Sequence, residues 1–427
     1  MPAPAGVKMR PATIRQCAGL VGGLGSRRGD LAATTPKPLL PCGDRPFLAW
    51  LLREFLRFGV EEFLLLTGHL SERVREGIAG IAAALPRAVS IAVNEEPLRA
   101  GTGGALFHAR DRLDARFLLC NGDSLFDCNL ATLLAAAAGD GEEVVGRMLL
   151  RALPDASRYG VVETKGEVVR AFRERPAVAG PVAGLINAGI YLFDRRVLER
   201  IAPVCSLERD IMPALAAQGV LRGTEASGGF VDIGIPADLA RARHDLPAQL
   251  HRPALLLDRD GVLNIDRGWV GTRDRFEWMP GALAAVRRAA TLGWHVFVVT
   301  NQSGVARGCY DEAAVHALMR WVGEQLRAHG GTLDDWRACP FHPAAKLAAY
   351  RRASDWRKPA PGMLLDLIRA WELDPARVVM TGDSETDMQA AAAAGVRGLL
   401  FPGGDLAAFL EPVLVPACSD AVTSAPA

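Results

Sequence analysis

Two stretches of this sequence carry residue types that handle phosphate. In the first, the apolar run 18–21 ends in Gly22-Gly23-Leu24-Gly25-Ser26-Arg27, a loop whose glycines let backbone N–H groups come close to phosphate oxygens. Downstream, Pro36-Lys37-Pro38-Leu39-Leu40-Pro41 holds a lysine between prolines, so its charge can meet a phosphate with little conformational entropy left to lose. In the second stretch, Leu255-Leu256-Leu257 leads into Asp258-Arg259-Asp260-Gly261. Two carboxylates two residues apart at a strand end can divide labour: one attacks phosphorus, and the other protonates the leaving alkoxide and later takes a proton from water. Taken singly, the glycine loop reads equally as a tight turn, and the Asp-Gly pair as a turn with calcium-like decoration.

Those residues need elements to position them. Strand-like runs at 18–21, 63–66, 90–93, 117–120 and 186–193 alternate with helix-like runs at 46–58, 71–84 and 130–138, which argues α/β with a largely parallel sheet. The apolar run 254–257 restarts the pattern. Its unbroken hydrophobicity suits a buried parallel strand, beyond whose carboxyl end ligands bind. A chain of 427 residues exceeds the roughly 250–300 that one core serves, so two domains are expected, at 1–247 and 252–405. The boundary is placed near 248, in the polar stretch 241–253 with Pro247 and Pro253. Residues 406–427 are expected as a tail, briefly docked and then disordered.

Composition narrows the partners. A formal net charge of +1 gives no footprint for nucleic acid or an anionic membrane, and no apolar run approaches the ~18 residues of a membrane span. The eight cysteines have no repeating spacing and read as reduced thiols. Lys8, Arg10 and Arg15 precede an apolar stretch too short and Gly-broken for a signal peptide. Small molecules in the cytoplasm are the expectation; oligomeric state is not legible.

Taken as an ordered set, the glycine loop, the 36–41 segment, Gly101-Thr102-Gly103-Gly104, Asn121-Gly122-Asp123, Tyr159-Gly160, Asn187-Ala188-Gly189-Ile190-Tyr191 and Val231-Asp232-Ile233-Gly234 resemble the sugar-1-phosphate nucleotidylyltransferases over residues 14–245. The resemblance implies a mixed sheet in a Rossmann-like, three-layer α/β domain. It makes Arg27 and Lys37 the grip on a nucleoside triphosphate and its leaving pyrophosphate, with Gly22, Gly23, Gly25 and Gly103 against the substrate. Asp123 and Asp232 would hold Mg²⁺, Glu174 would be the sugar-binding acid, and Asn187 would contact a sugar hydroxyl. Positioning and charge neutralisation are what phosphoryl transfer mainly needs. Ser26, Arg28 and Arg175 depart from the usual threonine, leucine and lysine.

In the second half, Asp258-Arg259-Asp260-Gly261-Val262, the run 295–304 ending Thr300-Asn301-Gln302-Ser303-Gly304, Arg357-Lys358-Pro359 and 378–387 with Gly382-Asp383 resemble the four motifs of the haloacid dehalogenase phosphatases over 253–402. A second Rossmann-like, three-layer α/β domain with a parallel sheet is implied. The resemblance makes Asp258 the nucleophile, Asp260 the acid/base, and Thr300 and Lys358 the phosphate ligands. Asp383 would hold Mg²⁺ with the Asp258 carboxylate and the Asp260 carbonyl, and Asp387 would orient that site or cap the following helix. Asn264-Ile265-Asp266, Gly268-Trp269-Val270 and the run 301–308 resemble heptose 1,7-bisphosphate phosphatases and the related histidinol phosphatases. Asn301 would then touch substrate, and Arg307 and Arg357 would suit a second phosphate. Relatives carry a zinc loop of the form Cys-Pro-His-His-Pro, closed by Cys-x-Cys; here Cys339-Pro340-Phe341-His342-Pro343 and Ser354-Asp355-Trp356 stand instead. Four ligands are needed for a structural site, so no zinc is expected, and Phe341 and Trp356 would staple the loop by apolar contact.

Joined, the resemblances imply a bifunctional enzyme that makes heptose 1-phosphate and then GDP-heptose, using GTP and Mg²⁺. Two alternatives stay open: a phosphatase of another ester, such as histidinol phosphate, fused to a transferase of different sugar specificity; or a transferase-like domain that only senses sugar nucleotides.

Overall fold

The computed structural model describes residues 14–22, 35–97, 99–156, 160–173, 182–234 and 236–415. Gly23, Gly25, Arg27, Tyr159, Glu174 and Arg175 lie outside the described residues. The chain divides into two compact units, Met1–Ala248 and Gln249–Ala427.

The first unit contains β1 (Gln16–Leu20), β2 (Pro41–Cys42), β3 (Arg45–Pro46), β4 (Glu62–Thr67), β5 (Ser90–Glu95), β6 (Arg116–Asn121), β7 (Ser124–Asp127), β8 (Gly146–Leu153), β9 (Val161–Lys165), β10 (Val168–Arg173), β11 (Gly184–Asp194), β12 (Leu221–Glu225) and β13 (Gly229–Asp232). Nine of these form one sheet in the order β5-β4-β1-β6-β11-β8-β12-β10-β9. The β5-β4-β1-β6 stretch is parallel, but β11 runs antiparallel to both β6 and β8. The sheet is therefore mixed, as the resemblance implies, and only the largely parallel sheet read from the alternation is corrected: an apolar strand buried on both faces carries no mark of its direction. Alternation along β4 sends Leu64 and Leu66 into a core shared with the helices Gly101–Ala109 and Met212–Ala217, while Phe63 and Leu65 are buried on the other face.

Apart from this sheet, β7 and β13 pair antiparallel, with Asp232 opposite Ser124. That ribbon matters for the site, because it carries Asp232 to the end of β6, where Asp123 sits. The polar stretch in which the boundary is placed is largely the end of a helix, Pro236–Leu250, with Pro247 in its last turn.

The second unit has β14 (Ala254–Leu257), β15 (His295–Asn301), β16 (Asp335–Cys339), β17 (Val378–Gly382) and β18 (Arg397–Leu400), in the order β16-β15-β14-β17-β18, all parallel. Leu255 and Leu257 face one core and Ala254 and Leu256 the other; both faces of β14 are covered, which is why its sequence is apolar without alternation. The segment after 405 opens with the helix Leu406–Leu410, and Leu406, Leu410 and Leu414 lie in the first of these cores. Among the described residues no helix is long and apolar enough to cross a membrane.

Candidate active sites

In the first unit a cavity of about 460 Å³ opens beyond the carboxyl ends of β1, β4 and β6, with Gly22, Lys37, Thr102, Asn121 and Asp123 among its lining residues. Gly22 has a packing reason to be glycine, since a Cβ would stand 2.7 Å from the Gly68 nitrogen. Lys37 begins a short 3₁₀ turn behind Pro36, and its Nζ lies 3.5 Å from Asp123 Oδ2. The Ile233 N–H donates to the Asp123 carbonyl (2.9 Å), holding Asp232 beside Asp123. Burial pushes the Asp232 carboxyl up, and the negative charge of Asp123 adds to the rise. Asp232, whose charge is penalised by burial and by its neighbour Asp123, stands with that carboxylate beside the cavity, and the pair fits a divalent cation.

Asn187 sits where the pairing of β11 with β8 breaks register. Its amide donates to the Tyr191 hydroxyl (2.6 Å), and its Oδ1 accepts from Gly189 N–H (3.0 Å). Gly189, at φ +73°, lets this bulge press on Asn121, whose Nδ2 would be 2.7 Å from a Cβ there. Gly103 differs from expectation. Its N–H donates to the Cys205 carbonyl (3.1 Å) and a Cβ would meet Cys205 Sγ at 2.6 Å, so this glycine serves close packing and its amide is already taken.

In the second unit β14 and β17 end side by side and deliver three carboxylates, Asp258, Asp383 and Asp387, whose ligand atoms lie within 4.8 Å of one another. Lys358 is buried among them, with Nζ 2.9 Å from Asp258 Oδ1 and 2.6 Å from Asp387 Oδ1, and it donates to the Val299 carbonyl (3.0 Å). Burial works against its charge, but Asp258 and Asp387 outweigh that and hold the ammonium above its ordinary value. Asp258 is pushed up to about 7 by burial; Lys358 pulls it back and Asp387 adds to the rise. Asp383 is raised by burial and then by Asp387. Asp387 also caps its helix, its Oδ2 accepting from the Ser384 hydroxyl (2.6 Å) and N–H (3.2 Å).

Asp260 stands outside this trio. Its carboxylate accepts from Arg259 (2.8 Å), Asn264 (3.0 Å) and Gln302 (3.0 Å). Thr300, buried at the end of β15, accepts from the same Gln302 amide (2.8 Å). Asn301, expected against substrate, clamps the lysine loop instead: its Nδ2 donates to the Lys358 carbonyl and its Oδ1 accepts from the Lys358 N–H, both at 3.1 Å.

A nucleotidyl transferase family model matches residues 20–249, more than half of the chain, and a HAD-hydrolase-like model matches 355–409. Over 164 residues the sequence is 49% identical to the D-glycero-β-D-manno-heptose-1,7-bisphosphate 7-phosphatase of Rhodopseudomonas palustris, covering 38% of this chain and 91% of that protein. The chain belongs to the nucleotidyl transferase family, fused to a haloacid dehalogenase-type phosphatase. It is thus a bifunctional enzyme. Among solved structures it is similar to D,D-heptose 1,7-bisphosphate phosphatase from B. bronchiseptica complexed with magnesium and phosphate (37% identity, TM-score 0.32, covering 38% of this chain and 86% of that one). It is also similar to HddC from Yersinia pseudotuberculosis complexed with GMP-PN (23% identity, TM-score 0.48, covering 55% and 100%).

Phosphatases of this superfamily generally use Mg²⁺, and the acidic trio around Asp258 offers the hard oxygen ligands that ion takes. In the phosphatase unit the loop after β16 is built without the relatives' histidine pair. Cys339 is buried, its thiol pushed up by that burial and set 3.9 Å from the Phe341 carbonyl. The His342 Nδ1 accepts from the Ala344 N–H (3.0 Å). Phe341 and Trp356 both pack on the core beneath, and Arg352 lies 3.7 Å over the Phe341 ring. Arg307 and Arg357 come near each other: the Arg357 guanidinium is lowered by burial and by the like charge of Arg307.

Sequence reasoning gave no role to Gln302 or Tyr310. The Tyr310 hydroxyl donates to Gln302 Oε1 (2.7 Å), fixing the amide that serves Asp260 and Thr300. A signal for Gln302 did exist, a polar amide at the end of a buried strand; for Tyr310 there was none.

Proposed function

We propose that the phosphatase unit removes the 7-phosphate of a heptose 1,7-bisphosphate, and that the transferase unit joins the resulting heptose 1-phosphate to GMP from GTP, giving GDP-heptose and pyrophosphate. The observation that carries this reading is the pairing in one chain of a unit 49% identical to a heptose-bisphosphate 7-phosphatase with a nucleotidyl transferase unit, because the product of the first is the substrate class of the second.

In the phosphatase unit Asp258 attacks the 7-phosphorus, forming an aspartyl phosphate, while Asp260 protonates the departing sugar oxygen. Asp260 then takes a proton from the water that hydrolyses the acyl phosphate. Lys358 and Thr300 hold the transferring phosphate, and Arg307 and Arg357 take the 1-phosphate. Asp258 and Asp383, with the Asp260 carbonyl, would hold Mg²⁺, which would let an anionic nucleophile approach an anionic ester, and Asp387, engaged by Lys358 and Ser384, would orient that site. In the transferase unit Asp123 and Asp232 would hold the second Mg²⁺. Arg27 and Lys37 neutralise the leaving pyrophosphate as the sugar phosphate oxygen attacks the α-phosphorus. Small sugar phosphates and a nucleoside triphosphate are the partners, and the cytoplasm, where those triphosphates are made, is the compartment; seven cysteines among the described residues are free thiols.

The guanine base rests on resemblance to transferases of α-anomers, whereas the curated phosphatase relative is named for the β-anomer. The test therefore offers both anomers of the bisphosphate with Mg²⁺ and GTP, ATP, CTP or UTP in turn, and follows phosphate, pyrophosphate and nucleotide sugar by mass. GDP-heptose is expected, lost in Asp258→Asn and restored by supplying heptose 1-phosphate. Phosphate release with no nucleotide sugar from any triphosphate would overturn the two-step reading.

A further inference from the structure

The phosphatase unit holds a group of residues, tied to the reaction centre through Arg259, that the chemical step does not use. Trp269 is 51% exposed and has a left-handed backbone, φ +47°, a conformation that is costly for a bulky side chain and persists only where its surroundings impose it. Here they do. Gly268 N–H donates to Asp266 Oδ1 (2.7 Å), and Arg275 donates to the carbonyls of Arg267 (2.9 Å) and Gly268 (2.8 Å). The Val270 carbonyl accepts from Arg259, the residue between the two catalytic carboxylates. The loop is thus tied to the reaction centre while its indole is held out in solvent.

What the indole faces is informative. The Arg307 guanidinium lies 5.5 Å from the ring centroid, at the end of the helix Ser303–Arg307. At about 1.5 Å of rise per residue, that helix carries Arg307 roughly 7–8 Å beyond Gln302, the scale of a sugar ring. Leu347, 44% exposed, donates its N–H to the Ala306 carbonyl of the same helix (3.1 Å). Of the six large apolar side chains exposed among the described residues, two therefore flank this one short helix. A charged helix end between exposed apolar groups suits a ligand with a phosphate on a ring that has an apolar face.

We infer that Trp269 is the platform on which the sugar ring of the phosphatase substrate lies, with Leu347 as a second apolar contact and the distal phosphate on Arg307 and Arg357. The distal phosphate rests on the bisphosphate reading above; the ring contact does not. Trp269 acts on specificity and touches no reacting atom.

The test is Trp269→Gly in the full-length enzyme, because glycine accepts this backbone without strain and the thermal midpoint should hold or rise. Phosphate release is measured for a panel of phosphorylated sugars, including both anomers of heptose 1,7-bisphosphate, and for acetyl phosphate, which has no ring. For whichever sugar phosphate the parent enzyme prefers, kcat/KM should fall about tenfold or more, carried by KM, with acetyl phosphate within about twofold. Trp269→Phe should recover most of the loss. Equal falls for both substrates, or no fall for the sugar, would overturn the inference. The parent's own preference decides the other matter: if it favours a sugar monophosphate the bisphosphate reading fails, and the comparison at Trp269 still stands.

Discussion

At Gly261 the backbone has φ +90° and a Cβ would run into the Asp383 carboxylate. Gly261→Ala should therefore push Asp383 out of the acidic trio and lower phosphatase kcat/KM and Mg²⁺ affinity by roughly 10–100-fold, while nucleotide-sugar formation from supplied heptose 1-phosphate is unchanged; assaying the two half-reactions separately checks this. A pH effect follows from Asp258, whose carboxyl burial raises to about 7. Below that pH it holds a proton that a bound cation must displace. The half-saturating Mg²⁺ concentration should climb as pH falls from 8 to 6, approaching about tenfold per unit below 7, in titrations of the metal-free protein. Tyr310→Phe keeps the ring and removes the donor to Gln302, so phosphatase kcat should drop several-fold with KM little changed, at a stability cost of about 1–3 kcal/mol for the buried amide oxygen left unpaired. Asp258 and Asp383 could be picked out because each directly follows an apolar strand, β14 or β17, whereas Lys358 lies in a loop and was reached only through the resemblance. Tyr310 was not legible, since its partner lies across a turn of helix that only packing defines. Gly103 and Asn301 were assigned to ligand for a related reason: a glycine or amide needed for packing looks the same in sequence as one needed for binding.

Among the elements, β14 could be read directly, because a strand covered on both faces must be apolar throughout. The reversed direction of β11 could not, and neither could the helix Pro236–Leu250, because a polar stretch with prolines shows no helical pattern although Pro247 enters only the last turn. Weak periodicity after Gly403 hid the helix Leu406–Leu410, yet Leu406 and Leu410 are fully buried and Leu414 nearly so, and the helix packs along Ala282–Thr291. Leu410→Ala should destabilise the phosphatase unit by about 2–5 kcal/mol, the range for a buried leucine cut to alanine. Urea denaturation followed through each activity should show the phosphatase midpoint falling and the transferase midpoint unmoved, since Leu410 belongs to a core made wholly of residues from the second unit.

For the molecule as a whole, the fusion raises the question of how the intermediate travels. Each unit has its own core and its own carboxylate cluster, so each half-reaction can be silenced without touching the other. Asp258→Asn should leave only the transferase, and Asp123→Asn only the phosphatase. A heptose 1-phosphate that leaves the first site into bulk solvent has no memory of which chain made it. An equimolar mixture of the two variants should then match wild-type enzyme at the same concentration of each site, both in the steady rate of nucleotide-sugar formation and in the lag before it. The lag should shorten in proportion as total enzyme is raised, because it reflects the time needed for the intermediate to accumulate toward the transferase KM. A wild-type lag shorter than that of the mixture, and independent of enzyme concentration, would overturn free diffusion and mean that the intermediate is retained between the two steps.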